Sequence, residues 1–495
     1  MSINDPTSHR EPKSEASSKF AWFLVDRQEP PKRSATERIA DFLEITSGLD
    51  EVTAREQAGR CIQCPEPMCR RGCPLANRIP EWIALTAEGH FLEAAEICNQ
   101  VSNMPEVCAR ICPQERLCEG SCILNGKSEP VSIGALERFV TEYAFTHGGL
   151  NVTQVTPNGF RAAVIGSGPG GLACADELAK LGYTVTIFES QQLPGGLLVN
   201  GIPAFKLDKT VVGRRTEVLK QRGVEFRVGV RVGRDLTLSE LMERYDAVFL
   251  AFGALQARPL HLPGDGLKQV FQGLPFLVQK NVPGSLGCPA IDVQGKRVLV
   301  LGGGDTAMDC LRTAIRCGAK EAICLYRRDL ANMPGSRKEY VAALEEGACF
   351  SFLTNPIAVL GDADGNVIAV RATRMALGEP DATGRRKPTT MPNSEFDQPA
   401  DVVLVAYGFD PVPLPADSDL GRIKANSWGG VIVDDNQMTS LPGVFAGGDL
   451  VRGPSLVVHA VRDGRRAARC IQTYLAGQTP KHPVRVEAVP ETRRC

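Results

Sequence analysis

The feature that most constrains the fold of this chain is a glycine-rich pattern that occurs twice. The first copy, RAAVIGSGPGGLACADELAKLGYTVTIFES, occupies residues 161–190, and the second, KRVLVLGGGDTAMDCLRTAIRCGAKEAICLYRR, occupies residues 296–328. In both copies a short apolar run is followed by glycines, a helical pattern and a second apolar run. This order is typical of the first half of a parallel α/β sheet that binds a dinucleotide. The chain is therefore predicted to contain two dinucleotide-binding units.

Three later segments indicate how the two units are connected. Residues 246–253 (DAVFLAFG) and 401–408 (DVVLVAYG) are short apolar strands that end in glycine. Residues 441–468 predict a strand, a turn and a long helix. Because this last segment lies too far along the chain to belong to the second unit alone, we infer that the second unit is inserted into the first.

The first motif has the three glycines of a dinucleotide fingerprint, Gly166, Gly168 and Gly171. The first glycine permits a tight turn, the second lets the backbone approach a pyrophosphate, and the third lets helix and strand pack closely. Glu189 ends the second strand of this unit, where a carboxylate accepts hydrogen bonds from a ribose. The alternative is a glycine-rich turn in an unrelated α/β protein.

The second motif has Gly302, Gly304 and Ala307 at the same spacing. Alanine in the third place still allows close packing of the helix. Asp305, directly after the second glycine, is a further candidate cofactor-binding residue.

The two units differ at the end of the second strand. Where the first has Glu189, the second has Arg327 and Arg328. A carboxylate would repel a 2′-phosphate, whereas guanidinium groups pair with it. The second unit is therefore predicted to select NADP(H), and the alternative is a pair of solvated surface arginines.

One site with a ribose-binding glutamate and one with arginines suggest FAD in the first unit and NADPH in the second. Asp449 follows a short strand and precedes a predicted helix, a position that suits a hydrogen bond to the ribityl or phosphate part of FAD. A helix N-cap role for this aspartate is compatible with that interpretation. Gly196 is a further candidate cofactor-binding residue.

Cysteines are concentrated near the N-terminus. Of 17 in the chain, 9 lie between Cys61 and Cys122. Eight of these nine, all except Cys98, fall into two sets: Cys61, Cys64, Cys69 and Cys73, and Cys108, Cys112, Cys118 and Cys122. Such dense thiolates select zinc or iron–sulfur clusters, and the spacing differs from the separated CxxC pairs of zinc ribbons. The spacing favours iron–sulfur clusters and leaves zinc or unliganded thiols as alternatives.

Composition and charge indicate the cellular compartment and the classes of partner that we expect for the chain. The net charge is −1, so no basic excess directs it to nucleic acid or anionic lipid. There is no apolar run of about 20 residues, and the first 19 residues lack the apolar middle of a signal peptide. We therefore expect a cytoplasmic protein.

The segment between residues 20 and 150 is predicted to be helical, with helices in TERIADFLEI, IPEWIALTAEGHFLEAAEIC and IGALERFVTEYAF, and residues 150–159 are predicted to be a linker. The predicted fold class is α/β, with two Rossmann-like dinucleotide-binding domains, one inserted in the other, preceded by an α-helical iron–sulfur domain. The predicted divisions are a disordered tail (1–19), a helical [4Fe–4S] domain (20–150), the first part of an FAD domain (158–290), an NADPH domain (291–400), the second part of the FAD domain (401–480) and a tail (481–495).

Three stretches of the sequence resemble one family. CPQERLCEGSC (112–122), RCIQCPEPMCRRGCPLANRIPEW (60–82) and GGLLVNGIPAFKLDK (195–209) are similar to the small (β) subunit of NADPH-dependent glutamate synthase. The wider superfamily includes the NADPH-oxidising half of dihydropyrimidine dehydrogenase and the large subunit of NADH-dependent ferredoxin:NADP oxidoreductase. The resemblance extends from about Phe20 to about Ala476.

The resemblance implies two [4Fe–4S] clusters. Carried over by position, the ligands of one would be Cys61, Cys64, Cys69 and Cys122, and those of the other would be Cys73, Cys112, Cys118 and Glu137. Cys98 and Cys108 match no ligand position and are interpreted as structural. Pro65 departs from the glycine that relatives usually have, which removes no thiolate.

The resemblance also implies a function in electron input. Electrons would pass from NADPH through FAD and the clusters to a large subunit that forms L-glutamate from glutamine and 2-oxoglutarate. No catalytic acid–base group is found, and no CxxC lies near either nucleotide motif. The alternatives are a related NAD(P)H oxidoreductase that serves ferredoxin or another acceptor, and a zinc-bearing binding module.

Overall fold

A computed structural model describes residues 21–150, 152–153, 155–284, 290–380 and 386–481. It divides into two compact units. Among the described residues, the N-terminal unit contains residues 21–31, 48–109 and 114–149, and the C-terminal unit contains residues 32–47, 110–113 and those from 150 to 481. The predicted tail 1–19, most of the predicted tail 481–495, and Asn151 and Gln154 of the predicted linker lie outside the described residues.

The helices of the described chain are α1 Ala21–Leu24, α2 Ala35–Ile39, α3 Glu51–Gly59, α4 Met68–Gly72, α5 Ile79–Glu88, α6 Phe91–Val101, α7 Pro105–Ile111, α8 Ile133–Thr146, α9 Pro169–Lys180, α10 Leu197–Asn200, α11 Lys209–Gln221, α12 Leu238–Arg244, α13 Gly273–Asn281, α14 Asp305–Arg316, α15 Arg337–Glu345, α16 Asp449–Arg452 and α17 Val457–Leu475. Short 3₁₀ turns occupy Gln114–Arg116 and Asp419–Arg422. Within the described ranges, no helix combines the length and the apolar character that crossing a membrane requires.

The strands are β1 Arg161–Ile165, β2 Thr184–Glu189, β3 Glu225–Val228, β4 Ala247–Leu250, β5 Gln256–Ala257, β6 Val270–Gln272, β7 Arg297–Leu301, β8 Glu321–Tyr326, β9 Cys349–Phe352, β10 Thr354–Gly361, β11 Val367–Pro380, β12 Arg386–Thr390, β13 Phe396–Pro399, β14 Val402–Val405, β15 Phe409–Asp410 and β16 Val444–Ala446.

The N-terminal unit is helical, as its apolar periodicity predicts. Asp50 caps α3 by accepting a hydrogen bond from the backbone N–H of Thr53, and Gly89 ends α5 in the left-handed region with φ of 93°. Helices α6 and α8 pack through the rings of Phe91 and Phe139, whose centroids lie 4.9 Å apart.

One predicted helix is shorter than its pattern indicates. The stretch TERIADFLEI is helical only to Ile39, where α2 ends. Beyond it, the carboxylate of Asp41 pairs with Arg33 and accepts a hydrogen bond from the backbone N–H of Leu43. These side-chain hydrogen bonds compete with the helical ones and end the helix.

Two parallel sheets form the core of the C-terminal unit. The first has the strand order β16–β4–β1–β2–β3, and the second has the order β6–β14–β7–β8–β9. All strands of the second sheet lie in the sequence between β4 and β16 of the first, so the second nucleotide unit is inserted in the first as predicted. The buried faces carry aliphatic runs such as those of β1 and β7, with buried residues at nearly every position.

The edges of the second sheet differ from the predicted division of the chain. Strand β14 pairs with β7 and β6, so Val402–Val405 belongs to the second sheet. The predicted boundary between residues 400 and 401 therefore falls one strand too early. Parallel strands pair with neighbours that are distant in sequence, and this pairing places β14 with the second unit. Strand β6 also pairs with β14, so Val270–Gln272 belongs to the second sheet and the predicted boundary between residues 290 and 291 falls too late. The boundaries predicted for the two tails and for the N-terminal domain stay predictions.

An antiparallel sheet between β9 and β14 is not predicted by the sequence analysis. Strands β10, β12 and β13 pair with β11, in which single exposed residues separate buried residues or pairs of buried residues. This pattern departs from the strict alternation that signals a strand with one solvated face, so periodicity alone does not predict the strand.

Candidate nucleotide and iron–sulfur sites

The first glycine motif forms a tight strand-to-helix turn. Gly166 has φ of 98°, and a Cβ atom there would lie 2.7 Å from the carbonyl oxygen of Ala251. At Gly171 a Cβ atom would lie 1.9 Å from the carbonyl oxygen of Gly166. These two positions therefore need glycine for the packing of the chain itself.

Gly168 differs from the other two glycines of the motif. It is the N-cap of α9, and nothing lies within 4 Å of the position that its Cβ atom would occupy. The chain thus leaves space above a helix N-terminus, where backbone N–H groups and the helix dipole favour a phosphate. We call this space beside Gly168, at the N-terminus of α9, the first cradle, because its features are those that bind a pyrophosphate.

Glu189 is buried at the end of β2 and faces the same turn. One carboxylate oxygen accepts hydrogen bonds from the backbone N–H of Ser167 (2.9 Å) and from its hydroxyl (2.6 Å). The other accepts from the backbone N–H of Gln191 at 2.8 Å. The carboxylate is thereby fixed in direction at the glycine turn.

Two further segments close around the first turn. Gly196 lies against it, because a Cβ atom there would be 2.8 Å from Cα of Gly168. Asp449 is the first residue of α16, with Gly448 as the N-cap, and burial raises its pKa to about 7. Asp463 of α17 accepts a hydrogen bond from the backbone N–H of Gly448 at 3.1 Å and fixes this turn.

Two helices of the first nucleotide unit, α9 and α17, also contact each other at glycines. A Cβ atom at Gly464 of α17 would lie 2.1 Å from the carbonyl oxygen of Gly170 in α9. The C-terminal helix therefore touches the backbone of the helix that follows the first motif.

The second glycine motif repeats this geometry. Gly302 has φ of 135°, and a Cβ atom there would lie 2.3 Å from the carbonyl oxygen of Ala406. Gly304 is the N-cap of α14 and, like Gly168, has nothing within 4 Å of a Cβ position. Ala307 is fully buried. The second unit thus has an equivalent cradle above a helix N-terminus.

Asp305 is fixed by the protein. Its carboxylate accepts a hydrogen bond from the backbone N–H of Ser336 at 2.8 Å, and the backbone N–H of Gly335 donates to the carbonyl oxygen of Gly303. The loop before α15 is therefore held over the second glycine turn.

The two arginines after β8 have different surroundings. Arg327 is exposed, and Arg328 is half-buried with its Nε donating to the carbonyl oxygen of Arg386 at 3.0 Å. The side chain of Arg328 is thus anchored to strand β12 of the antiparallel sheet. Each arginine follows the strand that corresponds to β2, as the sequence predicts.

Four cysteines of the N-terminal unit line one cavity. They are Cys61, Cys64, Cys69 and Cys122, and apolar side chains such as Ile79 complete its wall. Burial raises the pKa of the Cys61 thiol to about 11 and that of Cys69 to about 12. Thiolates here need a positive centre beside them, as bound iron supplies.

A second group surrounds Glu137, which is buried on α8. Burial and the nearby Glu106 raise its pKa to about 8, although a hydrogen bond from Asn77 Nδ2 (3.0 Å) opposes this shift. Burial also raises the pKa of Cys73 to about 11 and that of Cys118 well above its usual value, and Glu137 adds to both shifts. Cys73 and Cys118 therefore lie close enough to Glu137 for its charge to raise the pKa of both thiols.

Cys98 and Cys108, interpreted as structural, lie beside this second group. Burial and then Glu137 raise the pKa of Cys98, and Cys108 contributes to that of Cys73. Cys112 directly follows α7 and belongs to residues 110–113, which group with the C-terminal unit. Its role beside Cys73 and Cys118 stays a prediction.

No group of three or more His, Cys, Asp or Glu side chains within the described ranges has an arrangement that would hold a single metal ion. Zinc needs thiolate sulfurs at about 2.3 Å from one centre. A four-iron cluster places each thiolate on a separate iron, so its ligands surround a wider space. The four cysteines that line the cavity supply the thiolate donor set that such a cluster uses.

Three residues of these sites are not predicted by the sequence analysis. Ser167 orients Glu189, Asp463 fixes the turn before Asp449, and Asn77 holds Glu137. Ser167 lies inside the glycine motif at a position for which the motif specifies no residue type. Asp463 and Asn77 are 15 and 60 residues from their hydrogen-bond partners, and only the fold brings them together.

Two family models match the chain. Residues 38–149 match dihydropyrimidine dehydrogenase domain II, 4Fe-4S cluster, and residues 160–464 match the pyridine nucleotide-disulphide oxidoreductase family. The first match covers both groups of cysteines, and the second covers both glycine motifs.

Curated relatives match along nearly the whole chain. The glutamate synthase [NADPH] small chain of Halomonas elongata is 45% identical over 92% of this chain and 98% of its own length. The corresponding small chain of Escherichia coli is 44% identical over 92% of this chain and 98% of its own length. UacF of Escherichia coli is 46% identical over 90% of this chain and 72% of its own length.

Among solved structures, FprA of Mycobacterium tuberculosis in complex with NADPH superposes with a TM-score of 0.55 at 21% identity, over 64% of this chain and 85% of FprA. This likeness concerns the fold. The family models and the small-chain relatives agree with the predicted fold class and with an oxidoreductase. The chain belongs to the glutamate synthase small-chain family of NADPH-dependent oxidoreductases, with a 4Fe–4S domain followed by a pyridine nucleotide-disulphide oxidoreductase domain.

Proposed function

We propose that this chain takes electrons from NADPH in the cytoplasm and passes them through FAD and two [4Fe–4S] clusters to a large glutamate synthase subunit. The observation that carries the proposal is the contrast between two similar nucleotide cradles. One faces a buried glutamate, and the other lies in the unit whose second strand ends in an exposed arginine. The small-chain relatives support the choice of the large subunit as acceptor.

The first unit would hold FAD. The open face at Gly168 would receive the pyrophosphate, and Glu189 would accept hydrogen bonds from the ribose. Gly166 and Gly171 keep the turn compact, and Gly196 closes against it. Asp449, whose pKa is raised to about 7 by burial, would face the flavin's ribityl or phosphate part.

The second unit would hold NADPH. The open face at Gly304 would receive its pyrophosphate, with Gly302 and Ala307 shaping the turn. Arg327, which is exposed, would pair with the 2′-phosphate, and Arg328 would add charge from a side chain anchored through Nε. Asp305 is held against the loop of Ser336 and would fix the edge of the site.

The N-terminal unit would hold the two clusters. The cavity supports Cys61, Cys64, Cys69 and Cys122 as the ligands of the first. The shared surroundings of Cys73, Cys118 and Glu137 support these residues, with Cys112, as the ligands of the second. Glu137 suits the role of a cluster ligand because its carboxylate is buried, hydrogen-bonded to Asn77 and close to the thiols.

When bound, NADPH supplies a hydride, and FAD and the iron–sulfur clusters provide the change from paired to single electrons. The residues of this chain bind and orient these groups and exclude water from them. Pairing of the 2′-phosphate with Arg327 would select the nucleotide. The polar network of Glu189 and Ser167 would set the direction of the FAD ribose. No side chain of the chain is needed as an acid or base.

A second candidate function follows from the similarity to UacF, which is not named as a glutamate synthase subunit. In this candidate the same internal chain of carriers serves ferredoxin or another acceptor. The two functions differ only in the final partner. Mixing the reduced chain with a large glutamate synthase subunit, glutamine and 2-oxoglutarate should form glutamate. Reduction of ferredoxin without glutamate formation would favour the second candidate.

The carriers are tested by an anaerobic titration with NADPH followed by electron paramagnetic resonance, with iron and sulfide counted on the same sample. We expect a yellow-brown protein in which NADPH bleaches the flavin and gives cluster signals. Zinc without iron and sulfide would remove the electron-transfer function.

The ligand assignment is tested by Cys64→Ser. We expect this variant to lose one cluster, and thus half of its iron and sulfide, while NADPH still reduces the flavin. Cys349→Ser is the matched control, because Cys349 is exposed and lies outside the N-terminal unit. Unchanged iron in Cys64→Ser would contradict the assignment.

A further inference from the structure

We infer that residues 200–209 act as a clasp that fixes the second nucleotide unit against the first, with Lys206 and Asn281 as its positioning residues. The inference rests on the proposed transfer from NADPH to FAD, because the clasp would set the distance between the two nucleotides. All of its contacts lie within the C-terminal unit.

The clasp begins at the first nucleotide cradle. The chain passes from Gly196, which touches Gly168, through α10 directly into residues 200–209. Lys209, at the far end, donates from Nζ to the carbonyl oxygens of Leu198 (3.0 Å) and Ile202. The loop is thereby closed on itself and attached to the first unit.

Asn281 holds the start of the clasp from the second unit. It is the last residue of α13, the helix that follows strand β6 of the second sheet. Its Nδ2 donates to the carbonyl oxygens of Asn200 and Gly201, both at 3.0 Å. One side chain thus satisfies two main-chain acceptors across the boundary between the nucleotide units.

Lys206 holds the middle of the clasp. Its Nζ lies 2.8 Å from Oδ1 of Asp309 and 3.5 Å from Oε2 of Glu339, and all three side chains are largely buried. Burial opposes the charge of Lys206, but the carboxylates of Asp309 and Glu339 raise its pKa above the usual value. Such a buried pair, once formed, fixes geometry because separating its members leaves uncompensated charges.

An arginine pair covers the residue before Lys206. The guanidinium carbons of Arg312 and Arg316 lie 4.4 Å and 3.9 Å from the ring centroid of Phe205, which is fully buried. Both arginines are held by Glu346. The clasp therefore combines ion pairing, hydrogen bonding and cation–π contact with one helix, α14.

Helix α14 connects the clasp to the second cradle. It begins at Asp305, directly after Gly304, so Asp309 lies on the second turn of the helix whose N-terminus would face the NADPH pyrophosphate. One continuous segment thus links the turn of Gly168 to that helix. Because displacement of about 1 Å from the reacting geometry costs roughly 100-fold in rate, the clasp has a direct effect on hydride transfer.

The test uses Asn281→Ala and Lys206→Met in the holoenzyme, with Lys206→Arg as the conservative variant. The matched controls are Asn436→Ala and Lys268→Met, which change exposed residues of the same unit. Three quantities are measured: the dissociation constant of NADP⁺, the limiting rate of flavin reduction in stopped flow, and amide hydrogen exchange in residues 200–209.

We expect Asn281→Ala to leave NADP⁺ affinity within about twofold and to slow flavin reduction about 10- to 100-fold. Amide exchange in residues 200–209 should accelerate, and Lys206→Arg should recover most of the rate that Lys206→Met loses. If Lys206→Met fails to fold because Asp309 stays buried without a partner, Asn281→Ala and Lys206→Arg still decide the question.

Two results would overturn the clasp: unchanged exchange in residues 200–209 of Asn281→Ala, or a loss of NADP⁺ affinity that matches the loss of rate. If the wild-type flavin is not reduced by NADPH, the proposed function fails instead. The exchange measurement still judges the clasp in that case, so the two failures are distinguishable.

Discussion

The glycine turns of the two nucleotide units share their backbone geometry, and the main difference between the units lies at the end of the second strand. Gly166 and Gly302 both avoid a carbonyl oxygen of the neighbouring strand, and Gly168 and Gly304 both leave open space above a helix N-terminus. At the end of the second strand, however, Glu189 is buried and hydrogen-bonded, whereas Arg327 is exposed.

This comparison separates two roles of the motif. The first glycine is required by the protein chain, since any Cβ atom there would collide with the backbone. The second glycine is not required by the chain, so its open face is available for a ligand. The residue at the strand end then distinguishes one ligand from another by charge. Substitutions at these positions can therefore test the turn, the phosphate site and the choice of ligand separately.

The largest effect is expected from a side chain in either open cradle. Gly168→Val should weaken FAD binding by about 100-fold or more and spare NADP⁺, and Gly304→Val should do the opposite, because each side chain fills the space for a pyrophosphate. Flavin content and calorimetric titration with NADP⁺ measure the two effects. If both variants lost both ligands, the open faces would not be separate cradles.

The next effect concerns the choice of nucleotide. Arg327→Ala combined with Arg328→Ala should weaken NADPH about 10- to 100-fold and leave NADH nearly unchanged, since only NADPH presents a 2′-phosphate to the charged hydrogen bonds. The ratio of kcat/KM for the two nucleotides measures it. An equal loss of kcat/KM for NADPH and NADH would show that these arginines do not recognise the 2′-phosphate.

A smaller effect is expected at the corresponding position of the first unit. Glu189→Gln keeps the shape of the side chain and removes its charge, so FAD affinity should fall about 3- to 10-fold, the range of one hydrogen bond. Glu225→Gln on the neighbouring strand β3 is the control, because that side chain is exposed. Flavin release followed by fluorescence measures both. An unchanged FAD affinity in Glu189→Gln would show that this carboxylate only stabilises the glycine turn and does not bind the ribose.

The smallest effect concerns the third position of the motif. Ala307→Gly should lower the free energy of unfolding by about 1 kcal/mol through helix propensity and leave NADP⁺ affinity unchanged. Thermal unfolding with and without NADP⁺ checks this. A change in affinity larger than the change in stability would show that Ala307 shapes the site and not only the helix.

Much of this comparison could be predicted from the sequence. The glycine spacing, the apolar strands on both sides, and Glu189 against Arg327 are local patterns. The insertion of the second unit follows from the order of the strands, and β16 confirms it. The position of β14 is harder to predict, because the pairing of parallel strands depends on contacts between distant residues.

Other features depend on partners that no local pattern reveals. The stretch after Ile39 has helical periodicity, yet the side chain of Asp41 offers its neighbours different hydrogen bonds. The anchoring of Arg328 needs strand β12, and the orientation of Glu137 needs Asn77. The family resemblance already implies the division of the cysteines into two ligand sets. The structure adds the cavity that the first set lines and the burial of Glu137 near Cys73 and Cys118, and the ligand roles themselves stay predictions.

The contact of Gly464 with Gly170 has a consequence for biosynthesis. Strand β16 and helix α17 leave the ribosome long after the rest of the first sheet, and after the whole of the second sheet has been made. Since domains fold as units during translation, the inserted unit can complete its core first. The first nucleotide unit must wait for α17, so completion of its nucleotide site is among the final events in maturation of the polypeptide.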